Sequence, residues 1–166
     1  MLSPDYLVHS VFDIDIDFLK KNNATAVIFD IDNTLVGFTV AIPPEEIKNY
    51  ISLLKQQGIK IAVASNNNKE RVSLFCKDLD IPYISRACKP LPFSLFKLCK
   101  IMGVKAKNTV FVGDQVYTDS LGANIAGMVS VMVDIIDTKE SLTFKIKRAL
   151  EVPVIKAKMR KDLKNK

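Results

Sequence analysis

The segment AVIFDIDNT, at residues 26–34, decides the fold. Its first four residues are apolar without polar alternation, which is typical of a strand buried on both faces of a parallel sheet. Similar apolar runs at residues 61–64, 109–112 and 129–133 predict three more such strands. The rest of the segment places two carboxylates and a hydroxyl directly after the first strand. Polar groups are therefore expected at the carboxyl end of the sheet.

Helical patterns lie between these runs, so strands and helices alternate along the chain. We predict helices over residues 43–57, 69–79, 92–102, 117–126 and 141–150, the last ended by Pro153, and a short strand over residues 82–85. The alternation indicates βαβ units with right-handed crossovers. The predicted fold class is α/β, a three-layer Rossmann-like sandwich with a parallel sheet. Residues 1–24, with a short helix over residues 16–22, are expected to pack outside this core as an N-terminal extension.

Length and charge distribution predict one domain with a basic end. The chain has 166 residues, of which 48% are hydrophobic, enough to bury one core. Residues 145–166 carry nine basic and two acidic side chains, a net charge of +7, whereas the rest is close to neutral. We predict a single domain over residues 1–150 and a basic tail over residues 151–166. Such a tail can bind anionic lipid or nucleic acid, or can be a solvated end, and these alternatives stay open.

The composition argues against a zinc site and against a membrane span. The three cysteines, Cys76, Cys88 and Cys99, form no paired motif, and His9 is the only histidine. The sequence therefore lacks the cysteine and histidine clusters that usually bind zinc. Sparse cysteines fit a reducing compartment. No apolar stretch is long enough for a signal-peptide core or a bilayer span. We predict a cytoplasmic protein, with peripheral contact to a membrane as an open alternative.

The polar residues that follow the strands suit phosphoryl transfer. Parallel strands end at one edge of a sheet, where α/β proteins bind their ligands. The residues expected at that edge are Asp30, Asp32, Thr34, Ser65, Asn66, Lys89, Asp114 and Asp119. Carboxylates are ligands for Mg²⁺, and the metal offsets the charge that would keep a carboxylate nucleophile away from a phosphate group. A lysine and a hydroxyl can bind the remaining phosphate oxygens.

The order of these residues resembles a known family over about residues 24–135. It is similar to the four motifs of haloacid dehalogenase-like (HAD) phosphatases, carried here by Asp30-x-Asp32-x-Thr34, Ser65, Lys89 and Gly113-Asp114-x-x-x-x-Asp119. The residues around the first and fourth motifs resemble the YqeG branch of HAD subfamily IIIA. That branch is similar to mitochondrial phosphatidylglycerophosphate phosphatases.

The resemblance implies a role for each motif residue. Asp30 would be the nucleophile and a ligand of Mg²⁺, and Asp32 would act as general acid and base. Asp114 and the backbone carbonyl of Asp32 would be the other protein ligands of the metal. The remaining assignments are Ser65, Lys89 and Asn66 as phosphate-binding residues, and Thr34 and Asp119 as supporting residues. Asp119 has an alternative reading, because an acidic residue also stabilises the N-terminus of its own helix.

The spacing of the motifs leaves no room for a large cap domain. Thirty residues separate Thr34 from Ser65, and 23 separate Ser65 from Lys89. HAD phosphatases carry their caps in these intervals, so the resemblance implies an open site beyond a short flap at residues 36–42. An open site suits a bulky phosphoester, and phosphatidylglycerophosphate is the preferred candidate by similarity.

Two further readings of the sequence need weighing. The first is a binding protein on a HAD scaffold that docks on RNA or a ribosome through its basic tail. The complete motif set favours the enzyme instead, because a scaffold without activity has no chemical need for it. The second is another catalytic motif at Asp13 and Asp15. That pair lacks a preceding apolar strand, so we interpret it as a surface segment.

Overall fold

A six-stranded parallel sheet forms the centre of the part of the chain that the structure describes. The computed structural model of the protein describes residues 2–137 and 142–164. The strands are β1 (Tyr6–Val8), β2 (Ala26–Phe29), β3 (Lys60–Ala64), β4 (Tyr83–Ile84), β5 (Thr109–Gly113) and β6 (Val129–Val133). They pair in the order β1-β6-β5-β2-β3-β4, and every pair is parallel.

Helices connect and cover these strands, as the alternating sequence pattern predicts. They are α1 (Ile16–Lys21), α2 (Glu45–Gln56), α3 (Lys69–Cys76), α4 (Phe93–Met102), α5 (Leu121–Ala126) and α6 (Leu142–Lys164). A π-helical turn, Val116–Ser120, leads directly into α5. The predicted α/β class with a parallel sheet is confirmed.

Side chains from the two faces of the sheet fill two separate cores. Val27 and Phe29 point into a core shared with α1, α2 and α3. Ala26 and Ile28 point into the opposite core, shared with α4 and α5. All four side chains are fully buried. Burial on both faces explains the unbroken apolar run in the sequence and produces the predicted three layers.

The N-terminal segment does more than pack on the outside of the core, which corrects that prediction. Residues 6–8 form β1 and extend the sheet beyond β6, with Tyr6 in register with Val131. This strand is short and only half-buried, so its sequence shows no buried-strand pattern. Asp13 accepts backbone hydrogen bonds from residues 9 and 10, and Asp15 caps α1. Both carboxylates are exposed and have structural roles, as the surface interpretation expects.

The C-terminal helix corrects the prediction of a helix end at Pro153. Helix α6 continues through this residue to Lys164. A proline inside a helix costs about 3 kcal/mol, because it lacks one donor and crowds the preceding turn. The compensating contact is Glu151, which is 1% exposed and accepts hydrogen bonds from the backbone N–H groups of Val116 at 2.8 Å and Tyr117 at 3.3 Å. The division of the chain at residue 150 stays a prediction.

Replacing Glu151 by alanine is expected to destabilise the protein by roughly 2 kcal/mol or more. The variant leaves two backbone donors of the π-helical turn without their charged acceptor. Leu150→Ala is the matched control, because Leu150 is its exposed neighbour on the same helix. Urea unfolding of both variants measures the difference. Equal losses of unfolding free energy would contradict the anchoring role of Glu151.

Candidate active site

The carboxyl ends of three neighbouring strands place the predicted residues side by side. Phe29 in β2 is in register with Val63 in β3 and with Val112 in β5. The three strands therefore end at nearly the same level of the sheet. The residues that directly follow them are Asp30, Ser65 and Asp114. Parallel strands produce this arrangement whenever their registers match.

Lys89 lies between two carboxylates at the centre of the site. Its ammonium nitrogen is 3.1 Å from Oδ1 of Asp30 and 2.7 Å from Oδ1 of Asp119. All three side chains are buried. The lysine stem approaches over the ring of Phe111 in β5, with Nζ 5.3 Å from the ring centroid. This contact with an aromatic face adds to the two ion pairs.

The Asn66 amide holds the backbone of Lys89 in place. Its Oδ1 accepts a hydrogen bond from the Lys89 N–H at 2.8 Å, and its Nδ2 donates to the Lys89 carbonyl at 3.2 Å. Both ends of the amide therefore bind the backbone of one residue. A direct contact of Asn66 with phosphate stays a prediction, and the structure places its side chain in support of the lysine.

Burial and neighbouring charges shift the ionisation of the central pair. Burial raises the pKa of Asp30 to about 6, the Lys89 ammonium opposes this rise, and Asp119 adds to it. Burial acts to lower the pKa of Lys89, but Asp119 and Asp30 outweigh it, so the lysine pKa lies above its ordinary value. The lysine therefore stays charged at neutral pH, whereas Asp30 binds a proton in mildly acidic solution.

Three buried carboxylates form a cluster that fits a divalent cation. Asp30, Asp114 and Asp119 each offer an oxygen, and these oxygens lie within 4.8 Å of one another. All three side chains are buried, and their deprotonation brings several negative charges together in one place. Such a charge is costly without a counterion. An all-oxygen donor set of this kind suits a hard cation.

A glycine allows Asp119 to reach this cluster. A Cβ atom on Gly113 would overlap the Asp119 side chain, so only glycine leaves room at this position. The other Asp119 oxygen accepts a hydrogen bond from the Gln115 N–H at 3.1 Å. Asp119 thus contacts Lys89 directly, in addition to its place in the turn that precedes α5. The sequence left these two roles open.

Asp32 is held by two residues that the sequence analysis did not select. Its Oδ1 accepts a hydrogen bond from Nη2 of Arg71 at 2.9 Å, and its Oδ2 accepts one from Nδ2 of Asn67 at 3.0 Å. Arg71 lies in the first turn of α3, which starts just after the Ser65 loop. The only signal in the sequence was this position near the predicted edge. A lone arginine on a helix is usually solvated, so the pattern did not favour it.

The remaining predicted residues line the same edge. Ser65 is buried, and its hydroxyl accepts a hydrogen bond from the Asn67 N–H at 3.1 Å. Thr34 is buried in the turn after Asp32. Asn33 in that turn exchanges hydrogen bonds with the backbone of Asp137, which ties the loop to the chain after β6. The analysis had not selected Asn33 either.

The two intervals in which a cap could be inserted contain only elements of the core. Residues 35–64 form a short turn, α2 and β3, and residues 66–88 form α3, β4 and connecting loops. The short flap predicted at residues 36–42 is a turn, linked to α3 by a hydrogen bond from Arg71 to the Ala41 carbonyl at 3.1 Å. No large cap is present within these intervals, as the spacing predicted.

Comparison with known proteins identifies the family. A family model for haloacid dehalogenase-like hydrolases matches residues 41–127. The chain is also 33% identical over 158 residues to the probable phosphatase YqeG of Bacillus subtilis (strain 168), covering 95% of this chain and 92% of that protein. The chain therefore belongs to the haloacid dehalogenase-like hydrolase family. The predicted resemblance to HAD phosphatases, and with it the class of phosphate ester hydrolase, is confirmed.

Two other similarities extend this result. The chain is 26% identical over 161 residues to the chloroplastic/mitochondrial phosphatidylglycerophosphate phosphatase 1 of Arabidopsis thaliana, covering 91% of this chain and 46% of that protein. The cobalt-bound deoxy-D-mannose-octulosonate 8-phosphate phosphatase of Haemophilus influenzae superposes with a TM-score of 0.58 at 24% identity, covering 77% of each chain. The second similarity shows a shared fold.

The search for a membrane span gave a negative result. Among the residues described in the structure, no helix is both long enough and apolar enough to cross a bilayer.

The raised pKa of Asp30 predicts a pH-dependent affinity for divalent cations. A proton must leave Asp30 before its oxygen can bind a metal. With a pKa of about 6, the affinity for Mg²⁺ should be about tenfold weaker at about pH 5 than at about pH 7.5. Titration calorimetry at the two pH values measures this change, and circular dichroism confirms that the fold is intact. An unchanged dissociation constant would contradict the ionisation that we describe for Asp30.

Proposed function

We propose that the protein hydrolyses a phosphomonoester through an aspartyl-phosphate intermediate on Asp30, with Mg²⁺ as its metal. One observation carries the proposal. A buried carboxylate lies 3.1 Å from a buried lysine, within a cluster of acidic oxygens at the carboxyl edge of the sheet. This arrangement supplies a nucleophile, a cation for phosphate oxygens and ligands for a metal in one place.

In the first step, an oxygen of Asp30 attacks phosphorus and the ester bond breaks. Asp32, in its protonated form, gives its proton to the departing alkoxide, which leaves as an alcohol. In the second step, Asp32 takes a proton from water. The resulting hydroxide attacks phosphorus, so inorganic phosphate leaves and the Asp30 carboxylate is restored. Asp32 ends the cycle protonated, ready for the next substrate.

Other residues of the site hold the phosphoryl group during both steps. The Lys89 ammonium carries a charge that can bind an equatorial phosphate oxygen, and Asp119 and Asn66 fix its position. The Ser65 hydroxyl lies at the same edge. Because Lys89 and Ser65 are buried, their interactions with developing charge are strong.

The metal would be bound by the acidic cluster. Asp30 and Asp114 are the proposed side-chain ligands, the Asp32 carbonyl is a further candidate, and Asp119 supports Lys89. When bound, the cation neutralises phosphate charge that would otherwise repel the Asp30 carboxylate. Mg²⁺ is favoured over softer metals because the donors are oxygens, and no histidine or cysteine belongs to the cluster.

For the substrate, we propose a bulky phosphoester, with phosphatidylglycerophosphate as the first candidate. Similarity to the Arabidopsis phosphatidylglycerophosphate phosphatase supports this choice, although the chain covers only 46% of that relative. The surface beside Lys89 supports it as well. Leu91 is 52% exposed and Phe93 is 74% exposed, so two large apolar side chains face solvent within four residues of the catalytic lysine. Exposed apolar groups this close to Lys89 in the sequence suit a partly apolar substrate.

Replacing Asp30 by asparagine is expected to reduce turnover by at least about 10³-fold, because the amide keeps the shape and loses the attacking charge. Phosphate release from p-nitrophenyl phosphate and from phosphatidylglycerophosphate, with and without Mg²⁺, measures the effect. Asp17→Asn is the control, since it changes an exposed aspartate on α1. Turnover near that of the unchanged protein in a folded Asp30→Asn variant would contradict the assignment.

The exposed basic residues of α6 are proposed to draw the protein to anionic membranes. Lys156, Arg160 and Lys161 are exposed, and Glu151 anchors the start of this region beside the active site. Each basic side chain near an anionic surface contributes about 1 kcal/mol, and salt weakens the contribution. Replacing all three by glutamine should therefore lower the affinity for phosphatidylglycerol vesicles by roughly 100-fold at low salt, as measured by co-sedimentation. Turnover of p-nitrophenyl phosphate should stay the same.

The control removes the same charge elsewhere, by changing Lys20, Lys21 and Lys77 to glutamine, all of them exposed. Full-length variants are used because a truncation after residue 150 would also remove Glu151. An RNA-binding assay on the same proteins tests the other partner. A loss of RNA binding with unchanged vesicle binding would contradict membrane attraction and favour a nucleic-acid partner.

A further inference from the structure

Arg71 lies beside the residue that we propose as the general acid. Its guanidinium is 2.9 Å from Asp32, the residue that passes a proton to the departing oxygen. A group attached to that oxygen is therefore within reach of Arg71. The arginine and aspartate side chains are 14% and 11% exposed, so the pair borders the opening of the site and is not part of the solvated surface.

The present contacts of Arg71 are ones that a ligand can replace. Nη2 donates to Asp32, Nη1 donates to the carbonyl of Ala41, and the guanidinium carbon lies 5.5 Å from the ring centroid of Phe75. The ring contact and the partly buried stem keep the guanidinium near the site. Its planar donors match a carboxylate or phosphate group, which can accept two hydrogen bonds at once.

Both oxygens of Asp32 have hydrogen-bond partners in the present arrangement. Each accepts a hydrogen bond, one from Arg71 and one from Asn67. An anionic group that draws Arg71 away frees Oδ1. Binding of such a substrate and release of Oδ1 from the arginine are then the same event.

We propose that Arg71 forms a subsite for a second anionic group, carried by the alcohol part of the substrate. The preferred substrates are thus phosphomonoesters whose leaving group bears a phosphodiester, phosphate or carboxylate. This inference rests on the proposed function and deepens it, because it names the chemical class of the leaving group. A phosphodiester in a lipid headgroup and one in a small soluble molecule offer the same chemistry to the arginine.

The test compares esters that differ in one anionic group. Glycerol 3-phosphate releases a neutral alcohol, and glycerophosphoglycerol phosphate releases an alcohol that carries a phosphodiester. Dihexanoyl phosphatidylglycerophosphate adds short acyl chains to the second ester. The full-length protein should prefer both phosphodiester compounds in kcat/KM. Arg71→Gln should reduce that preference by about 10- to 100-fold, the effect of losing one charge-assisted interaction.

Two variants sharpen the test. Arg71→Lys keeps the charge and should retain part of the preference, although it loses the two-pronged geometry. Lys69→Gln is the matched control, because it removes an equal charge from the same helix, two residues earlier, where the side chain is exposed and does not share a face with Arg71. The control should keep the full preference. Inhibition by the product glycerophosphoglycerol should weaken in Arg71→Gln and not in Lys69→Gln.

The outcomes separate three cases. If Arg71→Gln lowers kcat on all esters equally and leaves the preference unchanged, then Arg71 only positions Asp32 and the subsite is overturned. If the lipid is preferred over its deacylated counterpart and both depend equally on Arg71, the subsite is supported and the acyl chains contribute elsewhere. If no ester releases phosphate, the proposed function fails and takes this inference with it.

Discussion

The ammonium group of Lys89, held between Asp30 and Asp119, is the interaction on which the site depends. It joins three separate parts of the chain: the end of β2, the loop before α4 and the π-helical turn after β5. Without this cation, the acidic cluster would carry only negative charge in a buried place. With it, Asp30 and Asp119 can lie beside Asp114 in a buried cluster of oxygens that fits a divalent cation.

The same turn links the site to the C-terminal helix. Glu151 accepts hydrogen bonds at the start of the turn, and Asp119 contacts Lys89 from the middle of it. The basic helix α6 is therefore anchored within a few residues of the catalytic centre. A partner that binds this helix near Glu151 would lie close to the residues proposed to hold the phosphoryl group. This proximity is a physical reason to consider substrate delivery and catalysis together.

Much of the fold was predictable because burial on both faces leaves continuous apolar runs, as residues 26–29 show. The positions of Asp30 and Asp114 followed from those runs, since each lies directly after a strand. The edge strand β1 was not predictable, because three half-buried residues leave no such pattern. The path of α6 past Pro153 was not predictable either, since it depends on a contact between Glu151 and a turn more than thirty residues away.

The residues of the candidate site also divide into those that the sequence could predict and those that it could not. Motif residues could be selected from the sequence because their types and order suit one chemistry. Arg71 and Asn67 could not, because each looks like an ordinary solvated residue until the fold brings it to Asp32.

Direct detection of the phosphoenzyme tests the central claim. An Asp32→Asn variant, given p-nitrophenyl phosphate and Mg²⁺, needs no acid for its good leaving group but lacks the base that activates water. A phosphoryl group should therefore accumulate on the enzyme. After an acid quench, peptide mass spectrometry should find one phosphoryl group on Asp30, and hydroxylamine should remove it. Phosphate release without any phosphorylated aspartate, or a phosphoryl group on another residue, would contradict the account.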